Sequence, residues 1–369
     1  MNPDDPRPKP CAPQQEPAGG PRPLPLFLDM LARETAGAPE RRRAALAGLR
    51  AYQGAERPAP PPPLALAGRV GRVSLFRAGT AGPPVLFVPS LINPAAILDL
   101  DEERSLVRWV AERGFAAHLI DWGTPGEDEH ALDIDGHVER YLLPLVAGFD
   151  RLPVLVGYCL GGTMAIAAAA GARVAGLVTI AAPWRFAGYG EAARNAIGEL
   201  WAAAGPSCDA LGFVPVEVLQ AGFWRLDPAR TVAKYEAFGR MEPGSDEARA
   251  FVRLEDWANA GAPLTHAAGR QLFERFLRDD EPGRGEWAPV GAPVRPERID
   301  CPAVEFVSTT DRIVPAAAAT GLGARHALEL GHVGMVVGSR RTRLWEPLAH
   351  RLREMFELGA DTPERLTGR

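Results

Sequence analysis

At 369 residues the chain is too long for one minimal domain and fits one large domain carrying an insertion. Its 46% apolar and 24% charged residues are ordinary for a globular protein, and no apolar run is long enough to span a membrane. A formal net charge of -5 leaves no broad basic field, which argues against nucleic acid as a partner.

Residues 1–25 hold nine prolines and read as disordered or polyproline-like. Without an apolar core segment at the N-terminus, no secretory signal is expected, and the cytoplasm is the default compartment. Apolar residues then recur at helical spacing from Leu26 to Gln53, divided by Pro39 into two short helices. Pro58 to Pro63 reads as a stiff linker. Residues 1–64 are thus expected to form a tail, short helices and a linker. Met1–Pro63 should be dispensable for chemistry and relevant to assembly, since proline-rich stretches bury no core.

From residue 65 to 369 the pattern becomes that of an α/β domain. Gly68–Phe76 and Val85–Val88 read as strands, Glu102–Arg113 as an amphipathic helix, and Ala116–Ile120 as a strand. Ile134–Ala147 reads as a helix, followed by strands at Val154–Gly157 and Val174–Ala181. Such alternation predicts a mostly parallel, doubly wound sheet. The regularity stops over about 184–298, a helix-leaning stretch with five of the eight tryptophans (Trp184, Trp201, Trp224, Trp257, Trp287), which suits a cap inserted before the last two strands. Strands at Ala303–Ser308 and His326–Leu330 and a helix near Arg343–Phe356 complete the pattern.

The run Val154-Leu155-Val156-Gly157-Tyr158-Cys159-Leu160-Gly161-Gly162 carries the chemistry. An apolar strand enters a small-residue turn before an alanine-rich helix, the form of a nucleophile elbow with cysteine in place of serine. Glycines flank the nucleophile because a Cβ there would meet neighbouring strands or helices. A thiolate attacks thioesters well, so Cys159 points to acyl transfer. The competing reading is a buried structural cysteine at a Gly-rich turn. The four cysteines (Cys11, Cys159, Cys208, Cys301) are far apart and suggest neither a metal site nor a disulfide framework.

A nucleophile at an elbow needs a base, and the base an orienting acid, in the order nucleophile, acid, histidine. Asp311 follows the strand Ala303–Ser308, and His332 follows the strand ending near Leu330. The interval between them leaves room for one helix and one strand. Other histidines fit worse, being inside strands, helices or the cap, with His137 the next choice. The expected oxyanion donors are the Leu160 backbone N–H and one from the loop Val88-Pro89-Ser90-Leu91-Ile92-Asn93-Pro94, where Ser90 is the chosen residue.

Gly157-Tyr158-Cys159-Leu160-Gly161-Gly162 resembles the box of polyhydroxyalkanoate synthases and also the cysteine elbow of dienelactone hydrolases. The flanks favour the synthases. Val88-Pro89-Ser90-Leu91-Ile92-Asn93, Ile97-Leu98-Asp99-Leu100, Ser105-Leu106-Val107 and Ile120-Asp121-Trp122-Gly123-Thr124-Pro125 resemble synthase segments, and Gly162-Thr163 continues the box. The resemblance covers about residues 65–340 and implies an α/β-hydrolase fold. It further implies a Cys159-His332-Asp311 triad acting on 3-hydroxyacyl-CoA, with release of CoA, a growing polyester chain and no cofactor. A homodimer or a small helical partner subunit is the implied assembly, and the cytoplasm or polyester-granule surface the implied location. The chain departs from the family at Gly334-Met335-Val336-Val337-Gly338, in place of an Ile-Ala-Gly stretch, and lacks the Trp-Asn-rich cap signature of single-component enzymes. An α/β-hydrolase with the same triad (a thioesterase, esterase, dienelactone-hydrolase-like enzyme or polyester depolymerase) is the second hypothesis. A granule-associated scaffold with a degenerate site is the third, weakened because all three triad positions are filled.

Overall fold

The computed structural model describes residues 20–360; Cys11, most of the proline-rich stretch and residues 361–369 lie outside them. Its centre is an eight-stranded sheet made of β1 (Ala65–Val70), β2 (Val73–Ala78), β3 (Pro84–Val88), β4 (Ala116–Asp121), β5 (Val154–Tyr158), β6 (Gly176–Ile180), β7 (Ala303–Ser308) and β8 (Ala324–Leu328). Spatial order is β1-β2-β4-β3-β5-β6-β7-β8. The β1–β2 and β2–β4 pairs are antiparallel and the rest parallel, which is the α/β-hydrolase arrangement.

The three central strands β3, β5 and β6 are buried along their whole length. Continuous apolar sequence of this kind marks strands covered on both faces. Side chains alternate across the sheet: Leu86, Val88 and Leu155 pack on one face with Met164 and Ile166 of the helix Leu160–Gly171. Val85, Phe87, Val154 and Val156 pack on the other, with Val107, Leu348 and Leu352. No helix of the described residues is long and apolar enough to cross a membrane.

Several boundaries differ from the sequence expectation, each for a local reason. The single strand expected over 68–76 is a hairpin. Val70 pairs with Val73 across the two residues Gly71 and Arg72, and Gly71 takes φ 56°, a conformation glycine adopts without a Cβ clash. The helix expected from Glu102 begins only at Leu106 and ends at Ala111. Asp101 accepts the backbone N–H groups of Glu103 and Arg104, holding them in a turn, and Ser105 then caps the helix through Arg108 N–H. Over 134–147 the helix forms but widens to a π turn at Val138–Leu142, ahead of Pro144, which has no N–H to continue the ladder. Between Asp311 and His332 there is no α-helix, only the 3₁₀ turn Ala316–Ala318 and then β8, which starts two residues earlier than expected.

The insertion between β6 and β7 is a helical cap. Its main helices are Glu191–Leu211, Val216–Leu226, Pro228–Phe238 and Asp246–Asn259, with a two-strand clasp of Phe213–Val214 against Leu264–Thr265. The N-terminal helices, Leu24–Glu34 and Pro39–Gly54, are built into this cap and do not stand apart as a tail. Phe27, Leu31, Ala45, Leu49 and Tyr52 share one core with Trp224, Val232, Tyr235, Phe238 and Val252. At Gly48 a Cβ would overlap the carbonyl oxygen of Tyr235, so the two helices cross at backbone contact. Tyr52 donates to Asp256 at 2.6 Å, and Arg57 pairs with the same carboxylate at 3.1 Å.

Candidate active site

Cys159 stands between β5 and the helix Leu160–Gly171 with φ 55° and ψ -132°. A non-glycine residue at positive φ is costly and persists only where its surroundings hold it. The surroundings here are glycine contacts. A Cβ on Gly157 would overlap Gly162 Cα, and one on Gly161 would overlap the carbonyl oxygens of Val88 and Pro89. The glycines therefore bring the elbow and the loop after β3 into backbone contact, which fixes where the thiol sits.

Asp311 and His332 both lie past the carboxyl ends of neighbouring strands β7 and β8, and they meet. His332 Nδ1 is 2.6 Å from Asp311 Oδ2. The other carboxylate oxygen, Oδ1, accepts the backbone N–H groups of Ile313 and Val314 at 2.7 and 3.1 Å, so Asp311 is held on both sides. Ser308 Oγ donates to the Leu330 carbonyl, tying the end of β7 to the loop that carries the histidine. Tyr158 stacks on the His332 ring at 5.0 Å, 30° between planes, and its hydroxyl donates to the His332 carbonyl at 3.3 Å. That tyrosine sits inside the elbow string, but nothing in the string shows that it would brace a ring 174 positions away.

Cys159, Asp311 and His332 are each 8% exposed. Burial lowers the imidazole of His332, but the charges and hydrogen bonding of Asp311 and Cys159 outweigh it and hold the pKa up at about 10. The consequence for pH has a definite sign. The folded value lies above the ordinary ~6.5 of an unfolded histidine, so this group's stabilising contribution is complete below pH ~6.5 and fades as pH rises through about 10. Asp311→Asn removes the larger of the two supports. It is expected to drop the His332 pKa further than Cys159→Ala does, and to flatten the pH dependence of melting temperature over that window. Titration of the His332 ring by NMR in the three proteins measures both; an unmoved value in Asp311→Asn contradicts the pairing.

The loop after β3 is anchored from below. Trp122 donates its indole N–H to the Pro89 carbonyl at 3.0 Å. The Trp122 carbonyl in turn accepts from Arg72, whose guanidinium also pairs with Glu129 at 2.7 Å and with His137 Nε2 at 2.7 Å. His137 therefore carries its proton on Nδ1 and donates to the Asp133 carbonyl at 2.6 Å. Burial holds its pKa down at about 4. The fallback histidine of the sequence reading is thus occupied by a structural network. Ser90 is buried and lines the cavity at Cys159, with its Oγ accepting from Ile92 N–H at 3.1 Å.

Two chambers meet at Cys159. The larger, of about 400 Å³, also touches Asp311, His332 and Ser90, and is lined further by Arg230 and by the ion pairs Lys234–Glu255 and Arg312–Asp227. The smaller, of about 80 Å³, is walled by apolar residues such as Phe186, Leu272 and Phe273. Phe223 and Leu226 of the cap stand in both walls. The cap tryptophans divide accordingly. Trp224 and Trp257 line the larger chamber, and Trp257 bonds the Pro94 carbonyl at 2.9 Å. Trp184, Trp201 and Trp287 pack in ring clusters.

No protein-family model matches the chain. It is similar to a poly(3-hydroxyalkanoate) polymerase subunit, PhaC, of Haloferax mediterranei, with 31% identity over 303 residues, covering 77% of this chain and 61% of that one. A PhaC subunit of Haloarcula marismortui is 31% identical over 284 residues, covering 72% and 60%. One from Thiocystis violacea is 27% identical over 278 residues, covering 70% and 76%. The chain therefore spans only about 60% of the length of the first two relatives. Among solved structures, MenH from S. aureus superposes with a TM-score of 0.48 at 14% identity, over 77% of this chain and 99% of that one.

Proposed function

Because the chain is a homologue of the poly(3-hydroxyalkanoate) polymerases, we propose that it is an acyltransferase that takes 3-hydroxyacyl groups from CoA thioesters and joins them as polyester. The observation that carries this reading is a thiol on an elbow, under a cap, beside an imidazole that a carboxylate holds at 2.6 Å. Cys159 attacks the thioester carbonyl as thiolate, and the oxyanion that forms is met by the Leu160 N–H and the Ser90 segment. The carbon–sulfur bond to CoA then breaks, and the departing CoA thiolate takes the proton from His332. Neutral again, His332 accepts the proton of an incoming hydroxyl as that oxygen attacks the acyl-thioester, which forms the ester and frees the thiol. Asp311 holds the imidazole in the tautomer that both steps use. The cap keeps water from the acyl-enzyme, so an alcohol takes its place. No bound cofactor enters these steps. A product that grows insoluble keeps the enzyme at the surface of a polyester granule, in the cytoplasm where acyl-CoA is found. A second copy of the chain or a small helical subunit is the partner this reading allows.

The test is the fate of the acyl group. Purified protein is given 3-hydroxybutyryl-CoA, alone and with a helical partner subunit, while free CoA and acyl products are followed. CoA release with accumulating insoluble polyester is the expected result. Free 3-hydroxy acid in amounts equal to CoA, with no polymer under either condition, makes the protein a thioesterase and refutes the proposal.

A further inference from the structure

Among the side chains that line the small chamber at Cys159, the Tyr189 phenol is the one polar group besides the thiol. Of the chamber's lining residues, all but Cys159 and Tyr189 have side chains of carbon and hydrogen alone. Tyr189 reaches this position from the 3₁₀ turn Phe186–Tyr189, where its ring stacks on Phe186 at 5.9 Å with only 11° between planes. Its hydroxyl has no hydrogen-bond partner among the described residues. Tyr189 is half-buried, and with no protein partner in its apolar wall its phenol O–H is free to donate to a ligand that enters the chamber.

The size of the chamber says what enters it. A cavity of ~150 Å³ holds benzene, so about 80 Å³ accommodates about three carbon-sized groups on that scale. An acyl group on Cys159 with its carbonyl carbon at the sulfur thus has room for a short chain and not for a long one. The nucleotide end of a CoA thioester is excluded from so small and apolar a space and belongs in the larger chamber, which Arg230 lines beside the pairs Lys234–Glu255 and Arg312–Asp227.

We infer that Tyr189 is a specificity residue that donates a hydrogen bond to the 3-hydroxyl of the acyl group on Cys159, selecting short 3-hydroxyacyl groups over plain acyl groups. This rests on the acyltransferase reading and adds the group that reads the substrate's hydroxyl. Burial, reinforced by the negative charges of Cys159 and Asp311, raises the phenol well above its ordinary value, so it remains a donor at every working pH. An unhydroxylated acyl chain would leave this donor unpaired, and polar sites of this kind discriminate strongly against the analogue that lacks the partner.

Tyr189→Phe removes the oxygen and keeps the ring stacked on Phe186. Full-length wild type and variant are mixed in excess over 3-hydroxybutyryl-CoA or butyryl-CoA for a single turnover, and acylated enzyme is measured by intact mass. Wild type is expected to favour the hydroxyacyl thioester. The variant should lose that rate by about 10- to 100-fold while acylation by butyryl-CoA stays unchanged. An unchanged preference overturns the inference, as does an equal fall with both thioesters, which would give Tyr189 an oxyanion or purely structural part. Wild type that neither thioester acylates overturns the acyltransferase reading itself, an outcome distinct from a failed preference.

Discussion

Cys159→Ala is expected to abolish CoA release from an acyl-CoA thioester and leave the fold intact. A methyl side chain fills the elbow as well as a thiol does, and the flanking glycine contacts at Val88, Pro89 and Gly162 are untouched. Members of such a constellation act as a unit, so the loss should reach at least ~10⁴-fold, and His332→Ala should come close to it. For the same reason the double variant is expected to be no worse than either single one. Cys159→Ser should leave only a small residue of activity, because a hydroxyl is a poor nucleophile at its free pKa. Asp311→Asn should cost less than His332→Ala, since the imidazole is still present to take a proton. Turnover is measured beside circular dichroism and melting temperature. A folded Cys159→Ala protein with wild-type turnover would remove the thiol from the mechanism.

The second large effect concerns a region far from the thiol in sequence. A chain starting at Leu64 should express poorly and melt early or not cooperatively, because it strips the apolar cover from Trp224, Val232, Tyr235 and Phe238. Tyr52→Ala alone should cost about 3–5 kcal/mol, as for other large aromatic truncations in cores, and it also unpairs Asp256. Activity should fall with stability, because the helices Pro228–Phe238 and Asp246–Asn259 that pack on Tyr52 also carry Arg230, Lys234 and Trp257 to the larger chamber. A truncated protein with unchanged melting temperature and turnover would show that the N-terminal helices are dispensable after all. The expectation from sequence was narrower, dispensable for the chemistry but relevant to assembly, and the packing around Tyr52 argues that folding needs these helices as well.

The contrast between these two regions explains what sequence alone reveals. The elbow is legible because its causes are local: an apolar strand, glycines at fixed offsets and a cysteine between them, all within nine residues of chain. Asp311 and His332 are legible because strand ends in this fold are predictable places. The role of Tyr52 is not legible, since its contacts lie near residues 224–256, and an amphipathic helix does not name the surface it will cover. The hairpin at Gly71 was hidden for a different reason. The alternation does break there, Val70 and Val73 standing three apart, but one glycine in a strand-like run does not distinguish a bulge from a turn. Tyr189 is concealed by the cap: its position beside Cys159 depends on how the segment after β6 folds back, and no motif records that.

The proposed nucleophile and its proposed base belong to different parts of the sheet. Cys159 leaves β5, which has paired strands on both sides and buried residues throughout. His332 follows β8, the outermost strand, three of whose five residues are exposed. Cooperative units at the margin of a sheet open at lower free energy than its centre. His332 is therefore expected to leave its seat before the centre of the sheet opens on warming, with the Tyr158 contacts of β5 the brake on that loss. An open β8 would leave the thiol on its elbow without its proton acceptor, so loss of activity on heating is expected to precede loss of the sheet's circular dichroism signal.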